Sequence, residues 1–292
     1  AGQEGLEAGR DEGGTRGVAA CGGGGARGSG ESTGWIRVAN WNLERAPGSR
    51  RCRVAARLSE LSPDILCAAA ADAGILPEGG HVAECEADSG YGVRGERRKV
   101  ILWSRWALEE IDPIGGAGLP PGRFVAATCR VPDGPLRLIG VCIPWSHAHV
   151  STGRRDRAPW QDHLTYLEHL GPLLTGRDDA VPTLLVGDFN QRIPRTRAPI
   201  RVATALGHAL GDLVVATAGN VPGIDRQVID HVAHSASITV RDREGFDRRD
   251  ADGRPLSDHD GVRFVLERQV DETEGTGPGV NKGSTRPADT GS

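Results

Sequence analysis

No apolar run in the 292-residue sequence approaches the length of a membrane-spanning helix, so no transmembrane segment is expected. The first residues lack the charged-then-apolar pattern of a secretory signal, and no Met begins the chain, which leaves a processed or trimmed N-terminus open. The six cysteines have no CxxC spacing, so neither a zinc site nor a disulfide framework is called for. Cys67, Cys129 and Cys142 instead sit inside apolar, strand-like runs, where a thiol acts as a small buried hydrophobe. That usage favours a reducing, cytoplasmic setting. An internal repeat is missing too.

Large apolar side chains are scarce at both ends, which helps explain a hydrophobic content of only 38%. Residues 1–33, Gly-rich, and 269–292, rich in Gly, Thr, Pro and Asp, cannot bury enough apolar surface to offset the entropy of ordering. Both are expected to be disordered, leaving residues 34–268 as one folded domain of ordinary size. The net charge is −4, and once the acidic ends are set aside bases and acids balance. A balanced domain lacks the broad basic footprint of a protein that grips long duplex nucleic acid. Local Arg clusters remain at 153–157 and 191–197, suited to solvated loops or to an anionic substrate.

What is present begins with "WIRVANWNLE" (35–44), whose alternation puts Ile36, Val38, Asn40, Asn42 and Glu44 on one strand face. A helix is expected from Arg51 to Leu61, closed by Pro63, then a buried strand at 64–71. Further strands are expected at 99–105, 123–130 and 136–143, the last two joined through the Asp-Gly turn of "VPDGPL". A helix through Trp160, Leu164 and Leu167 should end near Gly171-Pro172, and another should span 199–210. Strands at 227–235, 237–241 and 261–267 complete a mixed α/β pattern.

One stretch stands out. In "TLLVGDFNQRIP" (183–194) an apolar run ends in Gly187 and then offers Asp188 and Asn190 on one face, with Phe189 pointing back to the core. A polar turn after a buried strand explains this as well as a cation or phosphate site does. Other polar clusters also fall at strand ends: Asn42 and Glu44, Asp230 in "VIDHV", and Asp258-His259 in "LSDHDG". Asp230 is the hardest to dismiss, because a carboxylate in an apolar strand needs a partner or a cation.

Taken in order, N-W-N-x-E, G-D-F-N, I-D-H and S-D-H before a final strand resemble the endonuclease/exonuclease/phosphatase family. These are metal-dependent phosphoesterases related to pancreatic-type DNase, abasic-site endonucleases, sphingomyelinases and inositol polyphosphate phosphatases. The resemblance covers about 35–267 and includes "VILWSR". It implies a DNase I-like α/β (α+β) fold: a two-sheet β-sandwich flanked by helices, in four α/β/β/α layers. It also implies hydrolysis of a phosphodiester or phosphomonoester with Mg²⁺, or Mn²⁺ in its place. Asn42, Glu44 and Asp258 match metal-binding positions, suiting an ion that favours carboxylate oxygen and water. His259 matches the catalytic His and Asp230 its orienting carboxylate. Asp188 matches the group that positions or deprotonates the attacking water, and Asn190 an amide that donates to the phosphoryl oxygen. Arg192 completes a G-D-x-N-x-R shared with inositol phosphatases, and His147 and His149 are either contacts that reach the phosphate from their loop or exposed loop histidines.

Two departures qualify the match. Where relatives carry a His, Tyr or Asn, this chain has Cys142, Pro144 and Trp145. Where they carry their principal metal-binding Glu, "DILCAAAAD" places Ala70, so metal affinity and activity are expected to be weakened. The same departures fit a non-catalytic module that binds a phosphate ligand on this scaffold. No subclass signature settles the substrate: the Gly-Leu-Arg of abasic-site endonucleases and the Trp-Asp-Arg of inositol phosphatases are both absent.

Overall fold

The computed structural model describes residues 35–268, apart from positions 45, 47 and 92–95. The expected disorder of 1–33 and 269–292 lies outside the described residues. Among the described residues, alternating and continuous apolar runs build twelve strands in two six-stranded mixed sheets. In the first, the order is β11 (Ile238–Phe246), β12 (Gly261–Arg268), β1 (Trp35–Asn42), β2 (Ile65–Ala71), β4 (Arg98–Ser104), β3 (His81–Glu84). In the second it is β5 (Leu108–Asp112), β6 (Phe124–Val131), β7 (Gly134–Cys142), β8 (Thr183–Asp188), β10 (Asp230–His234), β9 (Val214–Val215).

Each sheet contains one parallel pair, and parallel neighbours need a crossover long enough for a helix. Helix α1 (Arg50–Leu61) carries the chain from β1 to β2, and α2 (Gln161–Thr175) carries it from β7 to β8. Helix α3 (Ile200–Leu210) follows β8. The layers follow from three apolar clusters. Val38, Cys67 and Val100 of one sheet meet Leu138, Val186 and Val232 of the other between the sheets. Val54 and Leu58 of α1 cover Trp41, Leu66 and Ile101 on one outer face. Tyr166 and Leu170 of α2, with Leu206 and Leu210 of α3, cover Phe124, Ile139 and Leu185 on the other. This is the four-layer DNase I-like sandwich. Among the described residues no helix is long and apolar enough to cross a membrane.

Several local expectations change. Helix α2 does not stop at Pro172 but runs to Thr175, because Leu174 extends its buried face by a turn. The first strand ends at Asn42, two residues early, as Leu43 buries itself in the outer core and Glu44 takes a left-handed turn conformation (φ 45°). Short edge strands β3, β5 and β9 carry too little apolar signal to be read from sequence. Cys67, Cys129 and Cys142 are buried as expected, and no disulfide joins the described cysteines.

Candidate active site

Topology brings the polar strand ends together. Strands β1 and β8 both finish at one end of the sandwich, while the antiparallel β10 and β12 begin there. Asp188 and Asp230 are directly opposed in the β8–β10 ladder, so their side chains share a face. From the other sheet, Asn42 Nδ2 donates to Asp188 Oδ2 at 3.0 Å. The two sheets therefore meet in a hydrogen bond at the site itself.

Asp188 is fixed from three directions. Asn190 donates to it from its backbone N–H (2.9 Å, Oδ1) and from its side chain (3.0 Å, Oδ2). Asn190 Nδ2 also donates to the Ile143 carbonyl at 2.8 Å. Strand geometry alone does not give this arrangement. Asn190 is left-handed (φ 54°), a conformation Asn tolerates better than most residues, and the turn folds its amide back over Asp188. Phe189 points the other way and is fully buried, as the alternation predicts.

His259 arrives on the loop that leads into β12 of the first sheet. Its Nδ1 lies 2.6 Å from Asp230 Oδ2, and its Nε2 lies 3.8 Å from Asp258 Oδ1. Ser257 Oγ donates to the Asn42 carbonyl and accepts from the His259 N–H (3.1 Å), while Trp41 Nε1 donates to the His259 carbonyl (2.9 Å). The loop carrying Asp258 and His259 is thus clamped to the end of β1.

The electrostatics follow from burial. Desolvation, reinforced by the neighbouring Asp230 carboxylate, pushes Asp188 up to about 7. Burial also raises Asp230, against the pull of His259. For His259 burial disfavours the charge, yet Asp230 and its hydrogen bond override it and lift the imidazole to about 10. At neutral pH the site holds an imidazolium braced by one buried carboxylate beside a second carboxylate poised near neutrality.

Among the described residues, one ligand atom each of Asp188, Asp230 and His259 can be chosen within 4.8 Å of one another, and Asp230 Oδ1 is buried without a hydrogen-bond partner. Two crowded carboxylates with an orphaned oxygen suit a hard divalent cation at this end of the sandwich. Ala70 adds nothing to that donor set. It is half-buried beside the Asn42-paired Ala69 and holds φ 49° within β2, an unusual backbone for a non-glycine residue in a strand. Asp72 offers no replacement, since Arg51 binds both of its oxygens at 2.6 and 2.7 Å.

Two sequence-predicted residues stand apart from the cluster. Glu44 accepts from Arg50 at 2.8 Å, because the strand ends before it and the turn redirects its carboxylate. His149 is not a loop His exposed to substrate. It is 2% exposed, its Nδ1 is 2.5 Å from Asp162 of α2, and Tyr91 stacks on its ring at 4.4 Å. The loop after β7 folds back onto the first turn of α2 and takes His149 inward. His147 is exposed on that loop and bonded to Ser146 (3.0 Å). Arg192 lines a cleft of about 220 Å³ with Asp230, Asp258, His259, Arg226 and Arg248.

The residues that brace the site carry no such signal of their own in the sequence. Asn40 Nδ2 donates to the Gly187 and His231 carbonyls, crossing between sheets (3.2 and 3.1 Å). His231 binds the Gln191 carbonyl (2.9 Å) and Thr217 (2.9 Å), fixing the turn after Asn190. Asn40 is the first Asn of N-W-N, and His231 the His of I-D-H, so both were visible as polar residues in apolar strands.

A model of the endonuclease/exonuclease/phosphatase family matches residues 39–259. No curated protein sequence matches the chain. Among solved structures, an AP endonuclease from Archaeoglobus fulgidus is similar at 19% identity and a TM-score of 0.57, with 80% of this chain and all of that one covered. The 3' phosphatase NExo from Neisseria, bound to a product DNA hairpin, is similar at 18% identity and a TM-score of 0.59, with the same coverage. A humanized TDP2 of D. rerio reaches a TM-score of 0.59 at 12% identity, again over 80% of this chain and all of that one. At these identities the likeness speaks for the shared fold.

Proposed function

This chain belongs to the endonuclease/exonuclease/phosphatase family, and we propose that it is a metal-dependent phosphoesterase whose metal site is weakened at Ala70. One observation carries the reading: Asn42, Asp188, Asn190 and the Asp230–His259 pair converge from two sheets at one end of the sandwich. A scaffold has no packing reason to bury two carboxylates side by side, since each costs free energy to desolvate.

Each residue has a task that its geometry suits. Asp188, oriented by Asn42 and Asn190, positions the attacking water and accepts its proton. The His259 imidazolium donates to a phosphoryl oxygen as charge builds there, and Asn190, whose two amide hydrogens serve Asp188 and the Ile143 carbonyl, joins it by exchanging one of them for the phosphate. Asp230 holds His259 in orientation and favours its charged form. Asn42, Asp258 and, were it released from Arg50, Glu44 would hold Mg²⁺ or Mn²⁺ at the end of the sandwich where the orphaned Asp230 oxygen lies. When bound, the ion supplies Lewis-acid stabilisation of the phosphoryl and leaving-group oxygens. Arg192 and His147 flank the site as contacts for the anionic substrate.

Ala70 explains why activity should be weak. It follows Ala69, the residue paired with Asn42, and its backbone has a sparsely populated conformation of the kind found at functional positions. The side chain that would supply a carboxylate has been reduced to a methyl group. The test is a panel of single-stranded DNA, RNA, inositol phosphates and lipid phosphodiesters with Mg²⁺ or Mn²⁺, on this chain and on Ala70→Glu. Hydrolysis of one class, stronger in Ala70→Glu, supports the reading. No turnover of any class by either protein sinks it.

A second reading, a phosphate-binding module without catalysis, draws on the same missing carboxylate and on the Glu44–Arg50 pair. Calorimetry separates the two, because a module that abandoned chemistry binds a phosphate ligand equally well with and without divalent metal.

A further inference from the structure

The loop after β7 carries Trp145, in the stretch where the resemblance leads one to expect a polar residue, and the fold does not bury it. Trp145 is 43% exposed. A single exposed aromatic needs no explanation in itself, so it is the place of this one, on the loop that binds Asn190, that singles it out. Its position is tightly defined. Ile143, two residues earlier, donates its N–H to the Asp188 carbonyl at 2.9 Å and accepts from Asn190 Nδ2 at 2.8 Å. Two peptide steps span at most about 7 Å between Cα atoms, so the indole stands within a nucleotide's reach of the phosphate-handling groups.

The indole is also held. Tyr91 Oη stands against the Trp145 side chain and accepts from the His149 N–H at 3.2 Å. Tyr91 in turn stacks on His149, which Asp162 anchors to α2. Beneath Tyr91 lies the guanidinium of Arg123, 6.0 Å from the ring, buried and with Nε and Nη2 lacking partners. His147 tilts against the indole at 5.5 Å and leaves the Trp accessible. The buried His149–Asp162 pair, which the catalytic reading does not use, thereby acquires a role: it braces an aromatic platform. A rigid, partly exposed indole loses little conformational entropy when a flat ring settles on it.

We propose that Trp145 is a stacking platform for an unpaired nucleobase, so that the phosphoester cleaved at the Asp188–His259 site belongs to single-stranded nucleic acid. This rests on the phosphoesterase reading for the cleavage but not for the stacking. Inositol and lipid headgroups have no π face to offer, whereas every base does. The balanced charge of the domain fits recognition through one base and its phosphate rather than through a long duplex footprint.

The test is binding without metal. Fluorescence anisotropy in EDTA compares a labelled oligo(dT) 10-mer with an abasic oligomer of the same length and charge. Base–aromatic stacking of the usual strength makes the oligo(dT) bind about tenfold or more tightly than the abasic strand. Trp145→Ala removes that preference, and Trp145→Phe, which keeps a ring, retains much of it. Circular dichroism and thermal melting confirm that each variant folds. Equal binding of the two oligomers by the parent protein, no binding of either, or an unchanged preference in Trp145→Ala overturns the platform. Base-dependent binding with no hydrolysis in the substrate panel would instead leave the platform standing and remove the catalytic reading.

Discussion

Asn42 at the end of β1 donates to Asp188 at the end of β8, joining the two sheets at 3.0 Å where the other polar residues converge. The bond orients a carboxylate that would otherwise have only Asn190 to hold it. Asn42→Ala is expected to lower phosphoester turnover by about 10²-fold, the low end for groups that orient an acid–base residue. Its cost in stability should be about 2 kcal/mol, because the Asn42 side chain also accepts from the Glu44 N–H at 3.1 Å and two hydrogen bonds are lost. Steady-state kinetics and denaturant melts of the same preparation check both. A variant with parental turnover contradicts the role.

Asp188 and His259 should separate function from stability to different degrees. Burial makes the Asp188 charge unfavourable, but an amide there would turn an N–H toward the donors of Asn42 or Asn190, so Asp188→Asn is expected to abolish turnover with little net change in melting temperature. His259→Ala leaves Asp230 buried at 2% side-chain exposure without its imidazole partner. That variant should lose turnover and also several kcal/mol of stability, about 3–5 where a buried pair is broken. Pairing it with Asp230→Asn should recover much of the stability and none of the activity. Calorimetric melts and turnover assays of the three proteins distinguish these outcomes.

Two buried histidines away from the proton-transfer groups set a pH limit on the fold. His163 donates from Nδ1 to the Pro144 carbonyl (2.6 Å) and accepts from Gln191 through Nε2 (2.8 Å), an arrangement that suits only the neutral ring. Burial lowers both His163 and His231 to about 4, from 6.5. Below 6.5 the unfolded chain takes up protons that the folded chain refuses, so the stabilisation is complete above 6.5 and is lost as pH falls toward 4. Each contributes on the order of 3 kcal/mol to that loss. Urea melts at about pH 7, 5.5 and 4.5 should show the decline, and His163→Gln should flatten part of it. A stability independent of pH over this window contradicts the assignment.

Gly187 tests the turn that presents Asp188. Its φ is 143°, and a Cβ there would meet the Val141 carbonyl oxygen far inside contact distance. Gly187→Ala should therefore displace β8 from β7 and destabilise by about 3 kcal/mol or more, as backbone clashes in a core do. Expression and melting of the variant provide the measurement, and parental stability would show that the strands have slack.

Much of this site was legible because strand alternation and motif order are local properties. Asp188, Asn190, Asp230 and His259 fell at strand ends in the sequence, and the fold brought those ends together. Periodicity could not show that Asn190 returns through a left-handed turn, nor that β1 stops before Glu44 and hands its carboxylate to Arg50. The fate of His149 was equally hidden. Its partners, Tyr91 and Asp162, are 58 and 13 residues away, and a loop's inward fold depends on such distant contacts rather than on its own composition. Asn40 and His231 were visible as polar residues in apolar strands, but only the packing of one sheet on the other reveals what they hold.

Ala70 lies where the family resemblance implies a metal-binding Glu, and the proposed phosphoesterase site stands or falls there. The most direct measurement is Mg²⁺ titration by calorimetry, coupled to hydrolysis of a generic phosphodiester, on the parent chain and Ala70→Glu. The expected result is tighter Mg²⁺ binding and turnover well above the parent for Ala70→Glu, even after the strain of placing Glu at φ 49°. Unchanged metal affinity together with unchanged turnover would contradict it, and would place the metal site elsewhere or remove it from this protein.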